Sequence, residues 1–389
     1  MKSIGLCLIT KNEAHVITRC IDSARPLIDF VLVVDTGSTD GTPEAVRAYL
    51  EQTKLPGEVI HEPWRDFAYN RNVALRRLRE RPEIDYSLMI DADQILAYEP
   101  DFDTARFKKK LRHDVYDLPL VNGQAEMPLP NLVSNRVDIQ YKAQLHEFRV
   151  IPPESSRRRI KGLRIVEMGD GGRSQKPNKY RYDAELLEKL LAEEHDPFLI
   201  ARHTFYLGES YRQCGEDEKA IEAFLKRTKL GFSPEELFIS YLYAGRLQVK
   251  LKRPGNEVLE TFLAGHKICP WRAEALHGAA MLCRLQRLHH LGYMLAMPGL
   301  QLTYPESALF PERWIYDYGL LDEFAVHCYW TERYQDCFDA AMRILREGKI
   351  PDAERPRVQQ NADFAAAKLR EIKSAAAEQA ASLKLRGAL

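Results

Sequence analysis

A chain of 389 residues has room for two or three domains, and its 45% hydrophobic and 29% charged content lies near globular averages, which excludes global disorder. Lysine plus arginine and aspartate plus glutamate number 56 each, so no net charge draws the chain to nucleic acid or to a strongly acidic surface. Seven cysteines without CxxC spacing, a start too polar for a signal peptide and the lack of any run of about 20 apolar residues predict a cytoplasmic protein with reduced thiols and no transmembrane segment.

Short apolar runs alternate with helical patterns over the first 100 residues. "SIGLCLIT" (3–10) reads as a strand, and residues 13–25 read as a helix beginning near Asn12. "FVLVVDTGS" (30–38) is a β-branched run ending in a polar turn. It is followed by a helix over 41–53, with Thr42 as N-cap before Pro43. "GEVIHEP" (57–63), "AYNRNVALRRLRE" (68–80) and "YSLMID" (86–91) read as strand, helix and strand. This alternation predicts a mostly parallel sheet with helices on both faces, and a ligand site beyond the carboxyl ends of its strands. Three polar clusters fall at those ends: "TKNE" (10–13), "DTGSTDG" (35–41) and "DAD" (91–93).

From about 105 to 170 the pattern becomes short strand-like pieces broken by Pro and Gly, and "GDGGRSQKP" (169–177) is the strongest loop signal in the chain. The expected organisation is therefore a domain over 1–170, a linker and first helix over 171–200, and a helical domain over 201–389. In that last part, Leu207, Gly208, Tyr211, Gly215, Ala220, Phe224 and Pro234 follow the 34-residue tetratricopeptide pattern. A looser copy runs from about 238 to 270, and degraded copies are expected at 272–305 and 318–351. An alanine-rich helix near 361–386 reads as a cap for the stack.

The chemistry concentrates in the three clusters. Asp91 and Asp93, separated only by Ala92, share one side of the chain if it stays extended, and two such carboxylates repel unless a cation lies near. Mg²⁺ typically takes one or two carboxylates together with phosphate oxygens, so the pair suggests a metal–diphosphate ligand; otherwise it is a strand-end Asp capping a turn beside a solvated one. Asp35 can accept from a nucleobase imide or a ribose hydroxyl, or can simply shape its turn. Arg71 can face phosphate, base or solvent.

"LCLITKNEAHVITRCIDSA", "VLVVDTGSTDGT", "WRDFAYNRNVAL" and "LMIDADQ", in that order, resemble glycosyltransferase family 2 with its GT-A fold, over residues 3–170. With the repeats, the chain is similar to bacterial tetratricopeptide-linked members, among them peptide S- and O-glycosyltransferases. The resemblance implies that Thr10 and Glu13 border the nucleoside, that Asp35 binds uracil or ribose and that Arg71 lies beside base and phosphates. It also implies that Asp91 contacts ribose or metal and that Asp93 is the principal ligand of Mn²⁺ or Mg²⁺. Two departures stand out. Gln94 replaces the acidic residue that often follows the DxD, and the usual Glu-Asp pair is missing after residue 105. "LHEF" (145–148) is the nearest substitute, making Glu147 the expected general base, with His146 as second metal ligand or donor to the diphosphate. Strand alternation would place these two on opposite faces. Asp170 is the other candidate base.

The expected activity is an inverting, metal-dependent transfer from a nucleotide-sugar, most simply a UDP-sugar, to a hydroxyl or thiol on a peptide, protein or glycan. In this reading the repeats select the acceptor or mediate a homodimer, with exposed aromatics such as Tyr206 or Tyr243 favouring recognition. The alternative is a repeat scaffold for binding proteins, attached to a degenerate transferase domain.

Overall fold

The first apolar runs become β1 (Ile4–Thr10), β2 (Phe30–Asp35), β3 (Gly57–His61) and β4 (Tyr86–Met89). All four are parallel, in the order β3-β2-β1-β4. The computed structural model describes residues 1–123, 125–173 and 178–386, so part of the "GDGGRSQKP" loop, residues 174–177, lies outside the described residues. The chain divides into two units, Met1–Leu187 and Glu188–Leu389.

Alternation along the strands builds two cores. Ile4, Leu6, Leu8, Val31 and Val33 face one way, onto α1 (Ile17–Ala24) and α2 (Thr42–Thr53). Cys7, Phe30, Leu32 and Val34 face the other way, onto Ala74, Leu75 and Leu78 of α3 (Phe67–Arg79). Helix α1 starts later than its pattern suggests, because residues 14–16 form turns first. Thr42 is the first helical residue rather than the cap; Gly41, at φ 83°, takes the cap position, a conformation glycine adopts without Cβ strain. Thr42 instead donates its hydroxyl to Asp40 at 2.5 Å.

After β4 the unit continues with β5 (Gln94–Tyr98), α4 (Thr104–Lys110), β6 (Val115–Asn122), β7 (Ala125–Ser134), β8 (Gln140–Lys142), β9 (Phe148–Val150), β10 (Arg157–Arg159) and β11 (Leu163–Glu167). Strands β7, β6, β11 and β5 extend the sheet beyond β4 with mixed directions. β10 joins β6, and β8 pairs with β9 as a separate hairpin. The half-sheet at the N-terminus is thus parallel as expected, and the second half is mixed. α5 (Lys179–Glu193) runs across the division between the units.

The second unit is a succession of helix pairs: α6 (Pro197–Gln213) with α7 (Asp217–Arg227), α8 (Pro234–Lys250) with α9 (Gly255–Ile268), and α10 (Glu274–Leu285) with α11 (His289–Gly299). A π-helical turn (Ile315–Gly319) leads into α12 (Leu320–Trp330) and α13 (Tyr334–Glu347), and α14 (Arg355–Arg386) follows. Ser233 caps α8 by accepting from the Glu236 amide at 3.3 Å, the Ser-x-x-Glu start that the sequence carries. Small residues make the helix contacts. A Cβ on Gly208 would lie 2.7 Å from Phe224, and Phe262 fills two such notches, at Gly245 on one neighbour and Gly278 on the other. Both the strong first repeat and the three weaker copies are present as helix pairs. Tyr206 and Tyr243 are half-buried, and an arginine covers each ring, Arg202 at 4.9 Å and Arg212 at 4.5 Å.

Candidate active site

Thr10 ends β1, and the chain turns away with Asn12 in the left-handed region at φ 59°. This turn is tied to the one after β2. Asn12 N–H donates to Ser38 Oγ at 2.9 Å, Asn12 Oδ1 accepts from Thr39 N–H at 2.7 Å, and Glu13 N–H donates to Thr42 Oγ1 at 2.8 Å. Asp35 is buried and accepts from the amides of Gly37 at 3.1 Å and Ser38 at 3.2 Å, with His61 Nδ1 at 3.4 Å. Its carboxylate closes the 35–38 turn.

The chain does not stay extended through 91–93. It turns, with Gln94 N–H bonded to the Asp91 carbonyl at 3.0 Å, so strand alternation is not what brings the two carboxylates together. Arg71, on α3, donates through Nη2 to Asp91 at 2.6 Å and through Nε to Glu147 at 2.6 Å. Burial opposes the Arg71 charge, but the two carboxylates outweigh it and hold its pKa well above the usual value. Asn72 fixes the neighbouring hairpin by accepting from Tyr141 N–H at 2.7 Å and donating to its carbonyl at 2.8 Å.

Asp91 and Asp93 open into a cleft of about 980 Å³, also lined by Thr10, Glu13, Thr36, Arg71 and Glu167. Burial raises the pKa of Asp93, and the nearby Asp91 adds to it. Glu13 is raised by burial and by Asp93, against a lowering bond from the Gly172 amide. Glu167 is raised by burial and by Asp93 and Asp91, against a lowering bond from Gln94. Carboxylates that oppose one another's ionisation in this way fit a cation. Among the described residues no three His, Cys, Asp or Glu side chains converge on one metal position.

Three expected residues stand elsewhere. His146 and Glu147 lie in the tight loop between β8 and β9, with Ala143 and His146 at φ 73° and 53°, so alternation does not govern their facing. Neither is among the described residues lining the cleft, and His146 does not join Asp91 and Asp93 as a third ligand. Glu147 is only 14% exposed and ion-paired to Arg71, which leaves its carboxylate poorly placed to take a proton from a substrate. Asp170 is held by the two terminal nitrogens of the Arg19 guanidinium, at 2.7 Å each, and that pairing lowers its pKa. The loop it belongs to folds onto Glu13 and Asp93: Gly172 N–H reaches Glu13 at 3.1 Å, and a Cβ on Gly171 would collide with Asp93 Oδ2.

Glu167 was missed in the sequence. It pairs across the sheet with Gln94, whose side chain donates to Glu167 at 2.8 Å and accepts from the Asp91 amide at 3.0 Å. Gln94 is thus tied to a carboxylate from β11. The signal was there: "LRIVE" is a strand-like run ending in an acid, as "YSLMID" is.

Residues 6–159 match the model of glycosyl transferase family 2. The N-terminal unit is a glycosyl transferase family 2 domain. A TPR repeat-containing protein of Synechococcus elongatus is 29% identical over 153 residues, 38% of this chain and 36% of that protein. A lipopolysaccharide core biosynthesis glycosyltransferase, LpsC, of Rhizobium meliloti is 34% identical over 89 residues, 23% of this chain and 31% of LpsC. The chain therefore spans about a third of the length of these curated relatives. The solved structure of S. aureus TarS 1–349 in complex with UDP overlaps 64% of this chain and 86% of that one, at 18% identity and a TM-score of 0.32. In this transferase domain followed by helical repeats, no helix among the described residues is long and apolar enough to cross a membrane.

Proposed function

We propose that the chain is an inverting glycosyltransferase that moves a sugar from a nucleotide-sugar, with UDP as the nucleotide, to a hydroxyl or thiol acceptor. The observation that carries this reading is the charge arrangement of one cleft. Glu13, Asp91, Asp93 and Glu167 line it together with Lys11, Arg71, Arg173 and Lys179. A nucleoside diphosphate that brings a divalent cation satisfies both sets: the acids meet the metal and the bases meet the phosphates. Thr10 Oγ1 is buried in the wall of this cleft without a hydrogen-bond partner, which supports a nucleoside contact there.

Asp93 and Asp91 are the residues that would hold Mn²⁺ or Mg²⁺, and the ion would offset the charge developing on the departing diphosphate. Arg71 fixes Asp91 and supplies positive charge next to it. Glu167 is assigned the general-base role in place of Glu147, because it lines the cleft and burial raises its pKa, which makes its carboxylate the stronger proton acceptor. In the step itself the acceptor oxygen or sulfur attacks the anomeric carbon and the bond to the phosphate oxygen breaks. The acceptor proton passes to Glu167, and the nucleoside diphosphate leaves. The helical unit is assigned to recognition of the acceptor's carrier or of a second copy, since stacked repeats form extended binding surfaces.

Calorimetric titration with UDP and UDP-sugars, with Mn²⁺ or Mg²⁺ and then with EDTA, tests the donor site. Metal-dependent binding that disappears in Asp93→Asn is expected; failure of every nucleotide to bind under any metal condition overturns the reading. Glu167→Gln should lower transfer at least 100-fold with UDP affinity retained. Glu147→Gln, acting through Arg71, should instead weaken UDP binding. The reverse pattern returns the base to Glu147.

A further inference from the structure

The mouth of the transferase cleft carries two large aromatic side chains that the charge arrangement leaves unused. Trp64, in the loop between β3 and α3, is 42% exposed, and Tyr182, on α5, is 62% exposed; both line the cleft that holds Asp91 and Asp93. Exposed aromatic surface gathered at one opening marks a ligand contact more often than it marks chance.

The loop under Trp64 is pinned. The fully buried Asn70 accepts from Arg65 N–H at 3.0 Å and donates to the Pro63 carbonyl at 3.1 Å. Asp66 caps α3 by accepting from the Tyr69 amide at 2.7 Å. The indole itself packs edge-on with Phe67, with ring centroids 4.8 Å apart at 83°. Phe67 is covered by the Arg173 guanidinium at 4.7 Å, and Arg173 is paired with the buried Asp183, the residue after Tyr182. Hydrogen bonds, a ring contact and an ion pair thus hold an apolar side chain out in solvent. Collapse onto the surface would otherwise be the cheaper arrangement.

We propose that Trp64 and Tyr182 form the acceptor platform and that the acceptor group they take is a saccharide. The inference rests on the transferase reading above and names its second substrate. A pyranose ring presents a flat patch of C–H groups, slightly positive, which lies well on the electron-rich face of an indole or phenol. Its hydroxyl rim needs donors and acceptors around it, and Arg65, Asp66 and Glu185 line the same opening. An aliphatic acceptor would not need the charged rim, and a small polar one would not need the rings.

The test is a titration of the full chain, with and without UDP and Mn²⁺, by p-nitrophenyl glycosides of hexoses and N-acetylhexosamines. Serine- and cysteine-containing peptides run in parallel, and binding is followed by saturation-transfer NMR. At least one glycoside is expected to bind, with its affinity reduced tenfold or more in Trp64→Ala and in Tyr182→Ala and partly restored in Trp64→Phe. UDP affinity is expected to stay within twofold, and circular dichroism checks that each variant folds. Glycoside affinity unchanged in both alanine variants overturns the platform, as does a panel in which no glycoside binds. If UDP fails to bind the unaltered chain, the donor reading falls, while the titration without nucleotide still decides whether the platform takes sugar.

Discussion

Arg71 stands between Asp91 and Glu147 with 14% of its side chain exposed, and each carboxylate lies 2.6 Å from a different nitrogen of the same guanidinium. Removing one member of a buried charge group leaves the others uncompensated. Arg71→Met is therefore expected to cost about 3 kcal/mol in urea unfolding, with partial recovery in Arg71→Met/Glu147→Gln. Arg71→Lys supplies the charge without the fork and should recover less than half of that loss. Asp93 behaves oppositely. Burial and Asp91 disfavour its ionised form, so at neutral pH it lowers the stability of the metal-free domain. Asp93→Asn should raise metal-free stability by about 1 kcal/mol and abolish the thermal shift that Mn²⁺ and UDP together produce. At this scale the sequence was legible wherever an acid ends an apolar run, as Asp91 does. It was illegible at 143–147, because Ala143 and His146 adopt left-handed conformations that neither residue type announces. The alternation of an extended chain gives way there to a tight loop.

Elements reveal themselves by period, and the period is clearest where one face is buried. Strands β1 and β2 alternate between the two cores, and both were placed within a few residues of their ends. β5 and α4 went unseen: β5 is five residues long and α4 seven, too short for a pattern to declare itself. In the helical unit the decisive letters are glycines opposite aromatics. Gly208→Ala should drive a methyl group into Phe224 and cost about 2 kcal/mol, read as a lower melting temperature. Gly215→Ala meets no atom within 4 Å, but its φ of 77° strains any side chain; the loss there should be smaller, about 1 kcal/mol.

At the scale of the whole chain, buried histidines give the helical unit an acid sensitivity of its own. Burial, with Arg246 and Arg284 nearby, depresses the His277 pKa to about 3. Burial, opposed by a bond to the Ala280 carbonyl and reinforced by His289 and Arg284, depresses that of His327 to about 4. His203, buried with both ring nitrogens unpartnered, is lowered as well. The unfolded chain takes these protons first, so the stability they protect is present above pH 6.5 and falls as the pH drops below it. Each group contributes a slope of up to about 1.4 kcal/mol per pH unit until its folded pKa is reached. Calorimetry between pH 7 and 4.5 should show a steep fall in the melting of this unit, and His277→Gln/His327→Gln should make the fall shallower.

Phe262 carries a longer consequence. Because its ring fills a notch at Gly245 and another at Gly278, it belongs to two joints at once. A substitution at either glycine that displaces this ring is therefore felt at both joints, so α8, α9 and α10 should loosen together rather than pair by pair.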